Sequence, residues 1–315
     1  MADSDLDYPP AFPTAFVRTV TDVHGAAGRA WLDALPRLLR GQSDRWGLTL
    51  GPPFALSHNY VAPAVRADGA RVVLKVGVPC PDLDTEVSAL RLFDGRGCVR
   101  LLAADAGRGA LLLERLDPGT TLEAVADDEA ATVQAANVMR RLWRPAPPDH
   151  PFPRVGDWGR GFARLRGRFG GGLGPFPSAL VEEAEALFSG LLATSPPPVL
   201  LHGDLHHGNI LDAGGTGAGG GEWLAIDPKG VVGDPAYEAG ALLRNPERLH
   251  TLPDMDRVLA RRVDLLADAL GLDRARIGGW GLAQAVLSAW WTFEDHGRVG
   301  EASLAVARAL SALRV

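Results

Sequence analysis

The chain has 315 residues, is 46% hydrophobic and 22% charged, and carries a formal net charge of −6. Such a length suits two lobes better than one compact domain, and the composition is that of a folded globular protein rather than a disordered one. The negative balance argues against a general nucleic-acid binder and favours a cationic small substrate.

Cys80 and Cys98 form neither a disulfide framework nor a metal-ligand spacing, which points to a reducing compartment. The acidic start, Met1-Ala2-Asp3-Ser4-Asp5, lacks the charged-then-apolar pattern of a leader, and no apolar run approaches the ~20 residues of a membrane span. The expectation is a cytoplasmic monomer that acts on a small molecule, with no nucleic-acid or membrane partner.

Residues 1–23 carry several prolines and read as an arm over the surface. From Gly28 to Arg40, Trp31, Leu35, Leu38 and Leu39 recur at helical spacing. After Gly47 the period changes: Leu48–Leu56, Tyr60–Arg66 and Arg71–Val78 read as a three-strand meander. Asp82–Asp94 is helical again, with Leu83, Val87, Leu90 and Phe93 on one face. Val99–Ala104 and Ala110–Leu116 then form a hairpin across Ala106-Gly107-Arg108-Gly109. A five-stranded sheet with one inserted helix therefore ends near residue 116, and residues 1–116 and 117–315 are the expected domains. The second reads as helices near 128–143, 157–168, 178–194, 254–270, 281–296 and 301–313. Pro145–Pro153 and Ser195–Pro198 are connectors. The interruption, 199–227, reads as two short strand pairs around a loop, with Ala213–Gly221 a flexible hairpin tip. The fold class is α+β.

That interruption carries the chemistry. Leu201-His202-Gly203-Asp204-Leu205-His206-His207-Gly208-Asn209-Ile210-Leu211, followed by Ala225-Ile226-Asp227, sets an Asp, an Asn and a second Asp beside short apolar runs. Transfer of a nucleotide's γ-phosphoryl group uses such a set: Asp204 as base or orienting group, Asn209 and Asp227 as ligands of Mg²⁺ on the phosphates of ATP. The bland alternative is a polar turn whose Asp and Asn cap backbone, but so many polar groups between apolar strands are costly to hold without a function. His202 reads as a loop-holding residue. His206 and His207 either touch phosphate or substrate, or face solvent. Lys75 closes Val72-Val73-Leu74-Lys75 and can neutralise the α- and β-phosphates if Glu86, on the next helix, holds its ammonium. Asp234 stands before Pro235 at an N-cap position.

The set resembles the aminoglycoside phosphotransferase family, which has a bilobal protein-kinase-like fold with a small antiparallel-sheet lobe and a larger helical lobe. His202-Gly203-Asp204-Leu205-x-x-Gly208-Asn209 is similar to that family's catalytic loop, Ile226-Asp227 to its metal-binding aspartate, and Lys75 with Glu86 to its phosphate lysine and ion-pair partner. Ala225-Ile226-Asp227-Pro228-Lys229-Gly230 through Gly233-Asp234-Pro235-Ala236-Tyr237-Glu238, with Arg244-Asn245-Pro246, resembles the branch of streptomycin 6-kinases and hydroxyurea kinases. The resemblance implies ATP and Mg²⁺, a hydroxyl acceptor on streptomycin or hydroxyurea, and a role in antibiotic resistance. It makes Glu114-Arg115-Leu116 a hinge whose backbone meets adenine, and Asp234 a structural brace of the catalytic loop. Ser57-His58-Asn59-Tyr60 lacks the G-x-G-x-x-G of protein kinases, as is common in antibiotic kinases, and the resemblance implies phosphate cover by the backbone amides of this loop, Ser57 and Asn59 included. Streptidine bears guanidinium groups, for which Asp117, Asp157, Glu182, Glu238, Glu294 and Asp295 are candidate carboxylates and Trp290 and Trp291 candidate stacking rings.

Two other classes compete. Gly203-Asp204-Leu205-His206 superficially resembles the first motif of metallophosphoesterases, yet Gly208-Asn209 is followed by Ile210 rather than His, and the remaining histidines are scattered. A pseudokinase that only binds nucleotide is the third reading; the presence of Lys75, Glu86, Asp204, Asn209 and Asp227 argues against it.

Overall fold

Phe16 and Val20 lie one helical turn apart and are fully buried, with the Phe16 ring edge-on to Trp31 at 6.1 Å. They extend a helix, α1 (Thr14–Trp46), into the stretch that the prolines had suggested was an arm; those prolines precede the helix, Pro13 directly. Gly25 (φ 56°) kinks α1, and left-handed Gly47 ends it by donating to Ser43 O. The computed structural model describes residues 12–215 and 222–313, so 1–11 of the expected arm and 216–221 of the expected hairpin tip lie outside the described residues.

The chain divides into two compact units, one running up to Val87 and including Arg100–Arg115, the other comprising Ser88–Val99 and the chain from Leu116 on. Residues 88–99 therefore group with the second unit. The first unit holds a five-stranded antiparallel sheet of β1 (Leu48–Leu50), β2 (Tyr60–Arg66), β3 (Arg71–Val76), β4 (Leu101–Asp105) and β5 (Ala110–Glu114), in the order β1-β2-β3-β5-β4. β1 is shorter than the sequence suggested because Gly51-Pro52-Pro53 follows, and proline has no N–H for a ladder. Tyr60, Ala62 and Ala64 of β2 and Val72, Leu74 and Val76 of β3 alternate into a core shared with Phe16, Val20, Trp31, Leu35 and Leu39 of α1. α2 (Pro81–Phe93) follows the meander, as its apolar spacing predicts, and its residues from Ser88 on belong to the second unit.

The second unit is built on α3 (Asp128–Leu142), α4 (Val155–Trp158), α5 (Arg160–Arg168), α6 (Ser178–Ala193), α7 (Ala239–Leu243), α8 (Met255–Leu270), α9 (Arg274–His296) and α10 (Glu301–Ala312). One helix expected over 157–168 is two, separated at Gly159, whose bare Cα lies against the Phe188 ring. α9 starts at Arg274 rather than 281: Asp273 caps it by accepting from Arg276 N at 2.7 Å, and almost every residue from Ile277 to Trp290 is buried. A helix enclosed on all sides has no polar face to reveal its period. Between the helices, β6 (Val199–Leu201) pairs with β9 (Val231–Gly233), and β7 (Ile210–Asp212) with β8 (Trp223–Ala225). Among the described residues, no helix is long and apolar enough to cross a membrane.

Candidate active site

The loop between β6 and β7 is tied from several sides. His202 Nδ1 accepts the Asp204 N–H at 3.2 Å, which leaves Nε2 to donate to Ile226 O at 2.8 Å and thereby fixes the tautomer. His202 O receives Lys229 N at 2.8 Å and Gly230 N at 3.1 Å. Asn209 Nδ2 donates to Asp204 O at 3.0 Å, while Asn209 O accepts from Ile226 N at 2.9 Å. Asp204, Asn209 and the residue before Asp227 are thus joined by consecutive hydrogen bonds. Gly203 is left-handed (φ 87°), and a Cβ there would stand 2.8 Å from the Trp158 ring, so no other residue fits the turn. Asp227 also has a positive φ of 63°, a conformation Asp tolerates better than most residues.

The brace under the loop comes from Glu238. Its Oε2 accepts from His202 N at 2.7 Å and its Oε1 from Gly203 N at 2.9 Å, and the residue is 1% exposed. This overturns its candidacy as a substrate carboxylate: both oxygens are spent on backbone. Asp234, expected to brace the loop, instead accepts from Ala236 N at 3.0 Å, Arg276 Nε at 2.5 Å and Trp280 Nε1 at 2.6 Å, fastening the turn before α7 to α9. Burial pushes the Glu238 carboxyl up to about 7, against the pull of its two N–H partners. Between the ordinary glutamate value and about 7 the folded chain keeps a proton that the unfolded chain has lost, so this group makes stability fall as pH rises across that window. His202, driven down to about 4 by burial, contributes the opposite slope, stability rising with pH up to the ordinary histidine value. The discriminating measurement is therefore a difference. Denaturant titrations of wild type and Glu238→Gln should diverge by on the order of 3 kcal/mol across that window, and parallel profiles would refute the assignment.

Asp204 Oδ1 is 3.0 Å from Arg244 Nη2, and Oδ2 is 3.9 Å from His206 Nε2. Burial raises the Asp204 pKa, but Arg244, with His206, Lys229 and His202, outweighs it and the net shift is downward. Asp204 is thus ionised at neutral pH and suited to orient a hydroxyl and take its proton late. In the sequence Arg244 stands out only as part of the Arg244-Asn245-Pro246 tripeptide, because its partner Asp204 lies 40 positions away. His207, one of the two histidines read as touching ligand or facing solvent, is 3% exposed, and burial lowers its pKa to about 3.

The residues expected to bind a metal, Asn209 and Asp227, carry donors that fit a hard divalent cation. With Asn209 Nδ2 committed to Asp204 O, its Oδ1 is the group left to coordinate, and the Asp227 carboxylate already draws Lys229 Nζ to 3.3 Å. One amide oxygen and one carboxylate suffice for Mg²⁺, which takes its other ligands from phosphates and water. Among the described residues no group of three or more His, Cys, Asp or Glu is arranged to hold a metal ion.

In the first unit, Lys75 Nζ lies 2.6 and 2.7 Å from the two Glu86 oxygens, with the residues 5% and 6% exposed. Lys75 sits in register between Val61 and Leu111. Ser57 is exposed, whereas the Asn59 carboxamide oxygen lies against Gly77, where a side chain would collide with it. Glu114 corrects part of the hinge expectation: its N–H donates to Arg100 O at 3.0 Å and its Oε1 accepts Arg100 N at 2.6 Å, so its amide is not offered to adenine. Leu116, partly exposed, is where the second unit resumes.

The expected guanidinium subsite is not assembled as read. Trp290 is 3% exposed, stacked on Phe293 at 5.7 Å and packed on Phe176, so it is core. Trp291, half-buried, meets Trp158 edge-on at 6.0 Å. Glu294 is held by Arg164 at 2.7 and 2.9 Å, while Asp157 accepts from Arg154 N at 2.8 Å and pairs with Arg160 at 2.9 Å. Asp117, Glu182 and Asp295 are exposed.

A five-stranded antiparallel sheet carrying a buried Lys–Glu pair, and a helical unit carrying an Asp–Asn–Asp loop, define a phosphotransferase of the protein-kinase-like fold. The structure of a choline kinase from Streptococcus pneumoniae is similar, with a TM-score of 0.63 at 13% identity over 89% of this chain and 98% of that one. Residues 46–297 match the family described as aminoglycoside/hydroxyurea antibiotic resistance kinase, and the chain belongs to it. It is 35% identical to streptomycin 6-kinase of Streptomyces glaucescens over 95% of this chain and 96% of that protein. It is 37% identical to hydroxyurea phosphotransferase of Kitasatospora aureofaciens over 95% of this chain and 85% of that protein.

Proposed function

We propose that this kinase transfers the γ-phosphoryl group of ATP to a hydroxyl of streptomycin. The observation that carries the reading is the fixed loop in which Asn209 ties Asp204 to the segment before Asp227. The likeness to streptomycin 6-kinases along nearly the whole chain supports the acceptor. In this account Asp204 orients the acceptor hydroxyl and receives its proton as the oxygen attacks phosphorus; Arg244 keeps the carboxylate ionised and aimed. Lys75, held by Glu86, neutralises the α- and β-phosphates, and the Leu116 backbone meets adenine. Asn209 and Asp227 would hold Mg²⁺, which would supply positive charge to offset that of the nucleotide phosphates.

A second acceptor, hydroxyurea, is favoured by the identity to the Kitasatospora enzyme. ADP release measured on a panel of streptomycin, hydroxyurea and simple amino alcohols separates the two. Streptomycin should exceed hydroxyurea in kcat/KM by at least ~10-fold, the scale on which differing pocket contacts discriminate. A hydroxyurea preference would move the assignment to the second acceptor.

A further inference from the structure

We propose that Gln284 is a positioning residue for the transfer. It holds one nitrogen of the Arg244 guanidinium, limits Arg244 to a single hydrogen bond on Asp204, and so keeps the second Asp204 oxygen open to the acceptor hydroxyl. Resting on the phosphotransferase reading above, this adds to the site a residue that acts through Arg244 alone.

Gln284 is out of keeping with its surroundings. Every residue of α9 from Ile277 to Leu287 is buried, and the others are Gly, Ala, Val, Leu, Ile and Trp. At 1% exposure a carboxamide is costly in such a helix unless its hydrogen bonds are made. Oε1 accepts from Arg244 Nη1, and Nε2 donates to Tyr237 O at 3.4 Å. α7 makes room for the group with Gly240, where a Cβ would stand 2.4 Å from Gln284 Oε1.

Arg244 grips its carboxylate differently from other arginines of the same unit. Arg164 on Glu294, Arg166 on Glu185 and Arg261 on Glu129 each donate from Nε and Nη2 to both oxygens. Two parallel bonds are the favoured geometry of such pairs. Arg244 instead spends Nη2 on Asp204 Oδ1 at 3.0 Å and Nη1 on Gln284. Its side chain is 12% exposed, so water is a minor competitor for the fork. Asp204 Oδ2 is left with His206 Nε2 at 3.9 Å, beyond hydrogen-bonding reach, and is the oxygen able to orient a hydroxyl and take its proton. An arginine paired to both oxygens would compete with the acceptor for Asp204 and hold the carboxylate more firmly ionised.

The test is a double-variant cycle in the full-length chain with ATP and streptomycin, melting temperatures being read in parallel. Gln284→Met keeps the volume and removes the acceptor, while Arg244→Lys keeps the charge and removes the fork. Gln284→Met should lower kcat by about 10-fold, the scale of one lost charge-assisted hydrogen bond, with both KM values within about twofold of wild type. In the Arg244→Lys background the same change should cost less than about twofold, since no second nitrogen remains to be released. Gln284→Glu keeps an acceptor facing Arg244 and should hold kcat within about threefold of wild type, which also covers the case that Gln284→Met does not fold. Unchanged kcat in Gln284→Met, an equal loss in both backgrounds, or a loss from Gln284→Glu as large as that from Gln284→Met would make Gln284 a packing residue only. Any of these overturns the inference while the proposed function stands. If wild type transfers no phosphoryl group to any hydroxylated acceptor, both fall together.

Discussion

Asp204→Ala should reduce kcat by ~10²–10⁴-fold, the range for loss of a positioned proton acceptor, while its thermal unfolding stays close to that of wild type. The side chain accepts from Arg244 at 3.0 Å, but the hydrogen bonds that shape the loop involve the Asp204 backbone: its N–H to His202 Nδ1 and its carbonyl to Asn209 Nδ2. Removing the carboxylate therefore leaves the loop tied. It does strand the Arg244 guanidinium, whose side chain is 12% exposed, so Asp204→Asn is the better-matched partner variant. Asn keeps an acceptor for Arg244 and still cannot take a proton. If Asp204→Asn retained near-normal turnover, proton acceptance at this position would be excluded.

Lys75→Met should lower the unfolding free energy by ~3–5 kcal/mol and abolish measurable turnover. Lys75 and Glu86 are almost wholly enclosed, with side chains 6% and 8% exposed at 2.6 Å, and removing one takes from the other its ion-pair partner in a buried setting. The double variant Lys75→Met with Glu86→Leu removes both charges and should recover most of the lost stability, because a buried pair replaced by apolar groups is often neutral. It should stay inactive, since the lysine proposed to neutralise the α- and β-phosphates is gone. A double variant as unstable as the single one would mean that the cost is packing around Lys75 rather than charge.

These expectations rest on features that differ in how visible they are along the chain. The loop proposed to be catalytic is legible as a unit because its order is short-range: Asp204 and Asn209 are five residues apart and tied by one hydrogen bond. The sheet is legible because alternation in Tyr60–Arg66 and Arg71–Val76 is local. α9 is harder to delimit because burial on all sides erases its period. The bracing role of Glu238 is hidden in the sequence for a different reason. Its partners His202 and Gly203 lie 36 and 35 residues upstream, and nothing local separates a bracing glutamate from a solvated one. One signal was present: a single acid between Tyr237 and the apolar run Ala239–Leu243 has no polar face to occupy, and a charge in that setting is buried for a purpose. Arg244 closes the same run and meets Asp204 through the fold alone. The paired Trp290 and Trp291 show the converse, since rings read as stacking surfaces divide between core and a half-buried edge contact.

The most direct test of the account follows the phosphorus. Purified protein is given ATP labelled at the γ-phosphate, Mg²⁺ and streptomycin, and the products are separated. Label should appear on the antibiotic in step with ADP formed, and its transfer should fall by at least ~10²-fold with Asp204→Asn. Label that appeared only as inorganic phosphate, or ADP formation indifferent to the acceptor, would contradict it.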